Sequence, residues 1–351
     1  MHSLNTLNLF QTERAWQQIQ DQVFALVAAE HNKGRAQNGD LVKQLESTLA
    51  EKFNRKHCIT VACCTDALVL SLQWLGLEFG ARVGVSNYTF AASAGAIKRA
   101  GYSVVPVDIN AESFTANVHQ IRDVQAFVNV DLFGNMADWQ SLAKLDIPVI
   151  NDCAQSIESK DNNKWSAQNG LAGCLSFAPT KTISSWGSGG AILTDDDDLA
   201  AFARKARLHG KANNSSQAIT PGLNSMLSSF EAACVLVGLQ YSDQWRNRRE
   251  DIAKYLASES KHNCAADFSQ QQNTFHKLVF VSDNLSAVET EFRNNKVELG
   301  TYYRLTINDH LLYNTNNSFP VSDYLKHHHF SVPNQHTLTD SEVEKIAKAL
   351  K

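Results

Sequence analysis

The chain has 351 residues, 43% apolar and 19% charged, which is ordinary for a globular protein with a sizeable core and enough for two domains. Its 32 basic and 36 acidic residues leave a net charge of −4 without a long basic run, so nothing electrostatic points to nucleic acid. No stretch is apolar for long enough to span a bilayer, and the opening MHSLNTLNLFQTERAW lacks the basic-then-apolar order of a secretory leader. The seven cysteines form no C-x-x-C pair and mostly lie in apolar runs. That pattern argues against a zinc ribbon and suits reduced, buried thiols in a cytoplasmic protein.

Apolar residues at helical spacing predict a first helix over 13–30 and, after a polar loop at 32–40, a second over 41–53. The run 58–62 predicts a strand that breaks into Cys63-Cys64-Thr65-Asp66 before a helix over 67–77. Strand, tight turn and helix aim backbone N–H groups at an anion, and Thr65 adds a hydroxyl. The same arrangement also occurs in α/β proteins with no ligand at that turn. A strand at 82–85 leads through Ser86-Asn87-Tyr88-Thr89-Phe90 to a helix over 91–100, and 104–107 is a further strand. Next come a strand at 125–131, the turn Leu132-Phe133-Gly134-Asn135 and a helix over 138–143. A strand at 148–151 then ends at Asp152-Cys153-Ala154-Gln155. An acid at the carboxyl end of a parallel strand lies where α/β proteins hold ligands, and Asp152 also suits a helix N-cap.

The segment 175–194, LSFAPTKTISSWGSGGAILT, carries the most chemistry. Lys181 lies between two short apolar strands, with hydroxyls close by, a glycine-rich turn after it and no other basic residue until Arg204. Most lysines are surface lysines, but a desolvated one loses its proton readily and can form a Schiff base with a carbonyl. The aspartates at 195–198 cap a helix over 199–208 or, as the alternative, hold a metal. Beyond Arg207-Leu208-His209-Gly210, a polar, mobile loop is expected at 211–220, then Gly222-Leu223-Asn224-Ser225 and an apolar helix over 227–239. Charged residues 244–249 and a helix continuing to 258 connect to a second unit, with strands at 275–281 and 297–303 and a helix at 286–294. The histidines at 327–329 are neighbours that point in different directions, so no metal site is expected there. Thr339 to Glu342 has the form of a helix N-terminal capping box.

Taken together, 63–68, 88–90, 132–134, 152–155, 176–191 and 207–210 resemble the DegT/StrS family of pyridoxal-phosphate (PLP) sugar aminotransferases. The resemblance implies an α/β fold of type I. It would have a large domain over 1–240 with a mostly parallel mixed sheet flanked by helices, and a smaller α+β domain over 241–351. It implies that Lys181 anchors the cofactor covalently, that Cys64, Thr65 and Ser176 hold its phosphate, and that Phe90 stacks on its ring. Asp152 would pair with the ring nitrogen and Gln155 with the phenolic oxygen. Asn224 would reach the phosphate in the neighbouring subunit, which implies a homodimer with shared sites. Tyr88, His209 and Tyr303 are the substrate-facing candidates, although His209 equally suits a structural role. Departures from the family pattern are Cys63 and Cys64 for Ser and Gly, Thr182 for Asn, Ser188 for Asp and Met226 for Arg.

The implied reaction moves the amino group of L-glutamate to a keto sugar through pyridoxamine phosphate. The acceptor is a nucleotide-linked 4-keto-6-deoxyhexose, or its 3-keto isomer, for O-antigen or another surface polysaccharide. A lysine at 181 favours transamination, since related dehydratases carry His there. Two alternatives stay open: a keto sugar without a nucleotide, such as a keto-octulosonate, and a non-catalytic relative that binds PLP or sugar for regulation.

Overall fold

In the computed structural model, which describes residues 6–211 and 216–351, the short apolar runs of the first 194 residues form one seven-stranded sheet. Across it lie His57–Val61, Gly190–Thr194, Ala172–Ser176, Val149–Asp152, Ala126–Val130, Arg82–Ser86 and Ser103–Val107. The last five are parallel. Gly190–Thr194 runs antiparallel to both its neighbours, so six of the seven strands point their carboxyl ends at one edge. Being covered on both faces, these strands read as continuous apolar runs rather than as alternation.

Helices Cys64–Trp74, Ala91–Arg99 and Asp197–Ala206 pack on one face. Thr12–His31, Asp40–Lys52 and Ser229–Gln240 cover the other. The aspartate run behaves as a cap: Asp196 accepts the Leu199 N–H at 2.8 Å, Asp195 pairs with Arg55, and Asp197 with Lys56 and His57. A second body holds the antiparallel strands Asn263–Cys264, Leu278–Val281 and His329–Val332 with helices Leu285–Asn294 and Asp340–Leu350. Leu7 joins its core, so this body takes chain from both ends. Helix Ser242–Glu259 spans the two cores, with Trp245 in the larger and Ile252 and Leu256 in the smaller. Thr339 and Glu342 form the expected capping box.

Some local expectations need correction. The helix after the first strand begins at Cys64 rather than 67, and Cys64 is not among the residues with positive φ, so this turn asks for no glycine. The strand expected over 297–303 does not form. Val297 bridges Leu7, Gly300 bridges Ser331, and the segment then turns toward the large sheet. Its two bridges go to different partners, so no single ladder forms. Helix Pro320–His328 and strand His329–Val332 had no counterpart in the sequence reading, because the histidine run hides the boundary where one becomes the other. The tip of the polar loop expected at 211–220 lies outside the described residues, while Lys211 pairs with Ala218 at its base. Among the described residues no helix is long and apolar enough to cross a membrane.

The two bodies are tied by a buried ion pair, Arg249 with Glu158, both side chains 3% exposed, and Arg249 also donates to the Thr274 carbonyl. Removing one partner strands the other charge in the interior. Arg249→Met is therefore expected to lower stability by about 3–5 kcal/mol in urea unfolding. A loss below about 1 kcal/mol would mean that Glu158 takes up a proton or water at little cost.

Candidate active site

Register explains why distant residues meet. Gly190 pairs with Val61 on one side and Ser176 on the other, so the turn after Val61, the end of Ala172–Ser176 and the glycine-rich turn converge at the carboxyl edge. A Cβ on Gly190 would lie 2.5 Å from the Cys63 carbonyl carbon and 2.6 Å from the Cys64 nitrogen. Asp152 ends the next strand but one, and Phe90 N-caps helix Ala91–Arg99. A cavity of about 400 Å³ opens there, lined by Cys64, Thr65, Phe90, Asp152, Gln155, Ser176, Lys181 and Tyr303 among others.

Asp152 is 6% exposed and accepts from Ser93 Oγ at 2.8 Å and the Ala154 N–H at 3.1 Å. Burial raises its proton affinity, against the pull of these donors and of Lys181. Among the described residues it has no ion pair. A buried acid with hydrogen bonds but no salt bridge suits a cation arriving with a ligand, such as a protonated ring nitrogen. Lys181 is partly buried, and burial lowers the proton affinity of its amine while Asp152 and Cys64 oppose the shift.

Gln155 has its orientation set by its neighbours. Its oxygen accepts the Phe133 N–H at 3.1 Å, which turns its NH₂ toward the Tyr303 hydroxyl at 3.0 Å. The same oxygen lies 3.1 Å from His276 Nδ1, and His276 Nε2 lies 3.2 Å from the Thr180 carbonyl. Burial and two neighbouring lysines hold this imidazole well below its ordinary proton affinity, so the neutral ring donates to only one of them. Phe90 is 58% exposed, its ring 5.9 Å from that of Tyr303, a flat apolar surface for a planar ligand.

The other candidates lie elsewhere. Tyr88 is buried behind the wall; its hydroxyl donates to the Tyr302 carbonyl at 2.9 Å and accepts the Tyr303 N–H at 2.8 Å, so it positions Tyr303 instead of lining the cavity. His209 is exposed and outside the cavity wall, with its N–H on the Leu223 carbonyl. Asn224 is exposed and does not line its own chain's cavity either. The sequence reading missed His276, Lys277 and Phe10, which line the cavity from the second body and the N-terminal segment, whereas Tyr302, beside Tyr303, was in view as a substrate-facing residue and does line it. A signal for Lys277 was present: like Lys181, it is a single amine within an apolar run.

The model of the DegT/DnrJ/EryC1/StrS aminotransferase family matches residues 17–351. The chain belongs to that family. A pleiotropic regulatory protein of Geobacillus stearothermophilus is 30% identical over 307 residues, 83% of this chain and 82% of that one. The UDP-2-acetamido-2-deoxy-3-oxo-D-glucuronate aminotransferase of Pseudomonas aeruginosa is 28% identical over 345 residues, 95% of this chain and 96% of the relative. A solved aminotransferase of this family from Brucella abortus superposes with a TM-score of 0.91 over 96% of both chains at 26% identity. The chain is thus a PLP-dependent aminotransferase of the type I fold. The aminotransferase's cavity fits the group on its own chemistry: an amine that loses its proton easily, an acid lacking a cation, an amide NH₂ turned inward and a flat ring.

Two lysines line that cavity, which makes the covalent assignment testable. Borohydride reduction of the cofactor-loaded protein, followed by peptide mapping, is expected to leave the pyridoxyl mass on Lys181 and to leave Lys181→Ala unlabelled. Label on Lys277 would reverse the assignment.

Proposed function

We propose that this aminotransferase takes the amino group of L-glutamate and delivers it to a nucleotide-linked keto hexose, the keto group at C3 or C4, for a surface polysaccharide such as O-antigen. The observation that carries the reading is the convergence of Lys181, Asp152 and Gln155 on one cavity. The activity of the Pseudomonas relative, on a UDP-linked 3-oxo sugar, supports the acceptor class. When bound, PLP supplies an electron sink conjugated to the carbon that bears the amine. Asp152 holds the proton on the ring nitrogen. Lys181 Nζ takes the proton from the donor's α-carbon and later returns one to the aminated sugar carbon, for which its lowered proton affinity is suited. The 63–65 turn and Ser176 hold the phosphate, the Gln155 NH₂ the phenolic oxygen, and Phe90 the ring face.

A second reading, a regulatory protein that binds PLP without transferring amines, is favoured by the Geobacillus relative's name. The visible spectrum separates the two. The cofactor band is expected to bleach on adding glutamate and to be restored by a UDP- or dTDP-linked 3-keto or 4-keto sugar, with Lys181→Ala losing both responses. A band that no amino donor bleaches would sink transamination in favour of the regulatory reading, and restoration only by an unlinked keto-octulosonate would reassign the acceptor.

We further infer a homodimer with shared sites. Phe24 and Trp186 are exposed on one aromatic cluster, Trp16 lies 4.8 Å from Trp186, and Asn224 is exposed outside its own cavity. Sedimentation should give twice the 38.8 kDa chain mass, and a monomer at micromolar concentration would refute the shared site.

A further inference from the structure

We propose that Lys277 is the carboxylate receptor of the active-site cavity, its Nζ binding the carboxylate of a substrate beside the reacting carbon; the proposal rests on the transamination reading above. Lys277 is 9% exposed, lines the cavity with Lys181 and immediately precedes strand Leu278–Val281. Its Nζ lies 3.6 Å from the Phe10 ring centre and 4.5 Å from that of Tyr302. Among the described residues it has neither an ion pair nor a hydrogen bond to an oxygen. An amine enclosed in this way without a counter-charge is costly, and two aromatic faces offset only part of that cost.

The balance of charge in the cavity points to an incoming anion. Its lining carries two lysines but a single carboxylate, Asp152, which already accepts from Ser93 and Ala154 and which a protonated cofactor ring would engage. Lys277 is close enough to Lys181 for that amine to depress its proton affinity, in addition to burial. His276, next to Lys277 in the chain, lies 3.2 Å from the carbonyl of Thr180, the residue before Lys181, and all four line the cavity, so an anion bound at Lys277 sits on the side of the cavity where transfer occurs. That separates it from the cofactor phosphate, which has the 63–65 turn and Ser176 on the large sheet, whereas Lys277 enters from the second body beside Phe10 and Tyr302. It also separates it from a nucleotide diphosphate, which lies well away from the reacting sugar carbon. The small anion adjacent to a reacting carbon is a carboxylate, carried by the amino-acid donor or by an acidic keto sugar.

The test uses cofactor-loaded wild type, Lys277→Met and Lys277→Arg. Calorimetry with glutarate, a donor without its amine, and with D-glucuronate, a sugar acid, reads the shared chemistry, with glucose as the neutral control. Lys277→Met is expected to weaken one of the two acids by roughly ten- to a hundredfold, the size of one charge-assisted hydrogen bond, with Lys277→Arg recovering part of it. Loss confined to glutarate assigns the donor, and loss confined to glucuronate an acidic acceptor. Equal binding of both acids by wild type and Lys277→Met overturns the proposal, as does failure of wild type to bind either. Loss of the visible cofactor band in Lys277→Met and Lys277→Arg would also overturn it, assigning Lys277 to the cofactor. Should Lys277→Met not fold, Lys277→Gln reads the same contrast. Glutamate bleaching of the wild-type band tests transamination separately, so the two readings fail independently.

Discussion

The site depends on a strand inserted against the prevailing direction. Gly190–Thr194 runs antiparallel between His57–Val61 and Ala172–Ser176, and only its insertion brings the ends of those two strands to the same row. Because Gly190 has no side chain, the backbone at Cys63 and Cys64 can lie directly over it. The glycine-rich turn after Lys181 therefore does more than reverse the chain. It brings the amine-bearing loop and the N-terminus of helix Cys64–Trp74 to the wall of one cavity.

Electrostatics in the cavity follow from burial more than from pairing. Asp152 rises, Lys181 and Lys277 fall, and His276 is held neutral. Each shift disfavours the charged form, so in water-poor surroundings the groups sit closer to exchanging protons with a ligand than they would on the surface. Ser93 and Ala154 keep Asp152 in position, and the amide oxygen of Gln155 keeps His276, without neutralising them.

Much of this was legible in the sequence, because the strands of the large sheet are short apolar runs and each is followed directly by its chemical residues. Asp152 and Ser176 are the last residues of their strands, and Gln155 and Lys181 follow in the loops just beyond, so placing the strand places the residue or its loop. Legibility failed where position depends on tertiary contact. Tyr88 sits between two informative neighbours, yet its ring turns inward to hold Tyr303. Lys277 reaches the cavity only because the second body folds over the sheet edge, and strand periodicity says nothing about which body a strand will face. The segment 297–303 alternates like a strand but is shaped by Leu7 and Ser331 in turn.

The cysteine that stands at 64, where the family pattern has glycine, has a chemical consequence of its own. Cys64 Sγ lies 3.8 Å from Asp152 Oδ1 and 3.5 Å from the Cys174 carbonyl, and burial with that neighbouring acid raises its proton affinity well above the ordinary thiol value. A thiolate beside an aldehyde would compete with the lysine as a trapping nucleophile. Kept as a thiol, the sulfur serves as soft, polarisable floor and does not compete with the amines for an aldehyde entering the cavity.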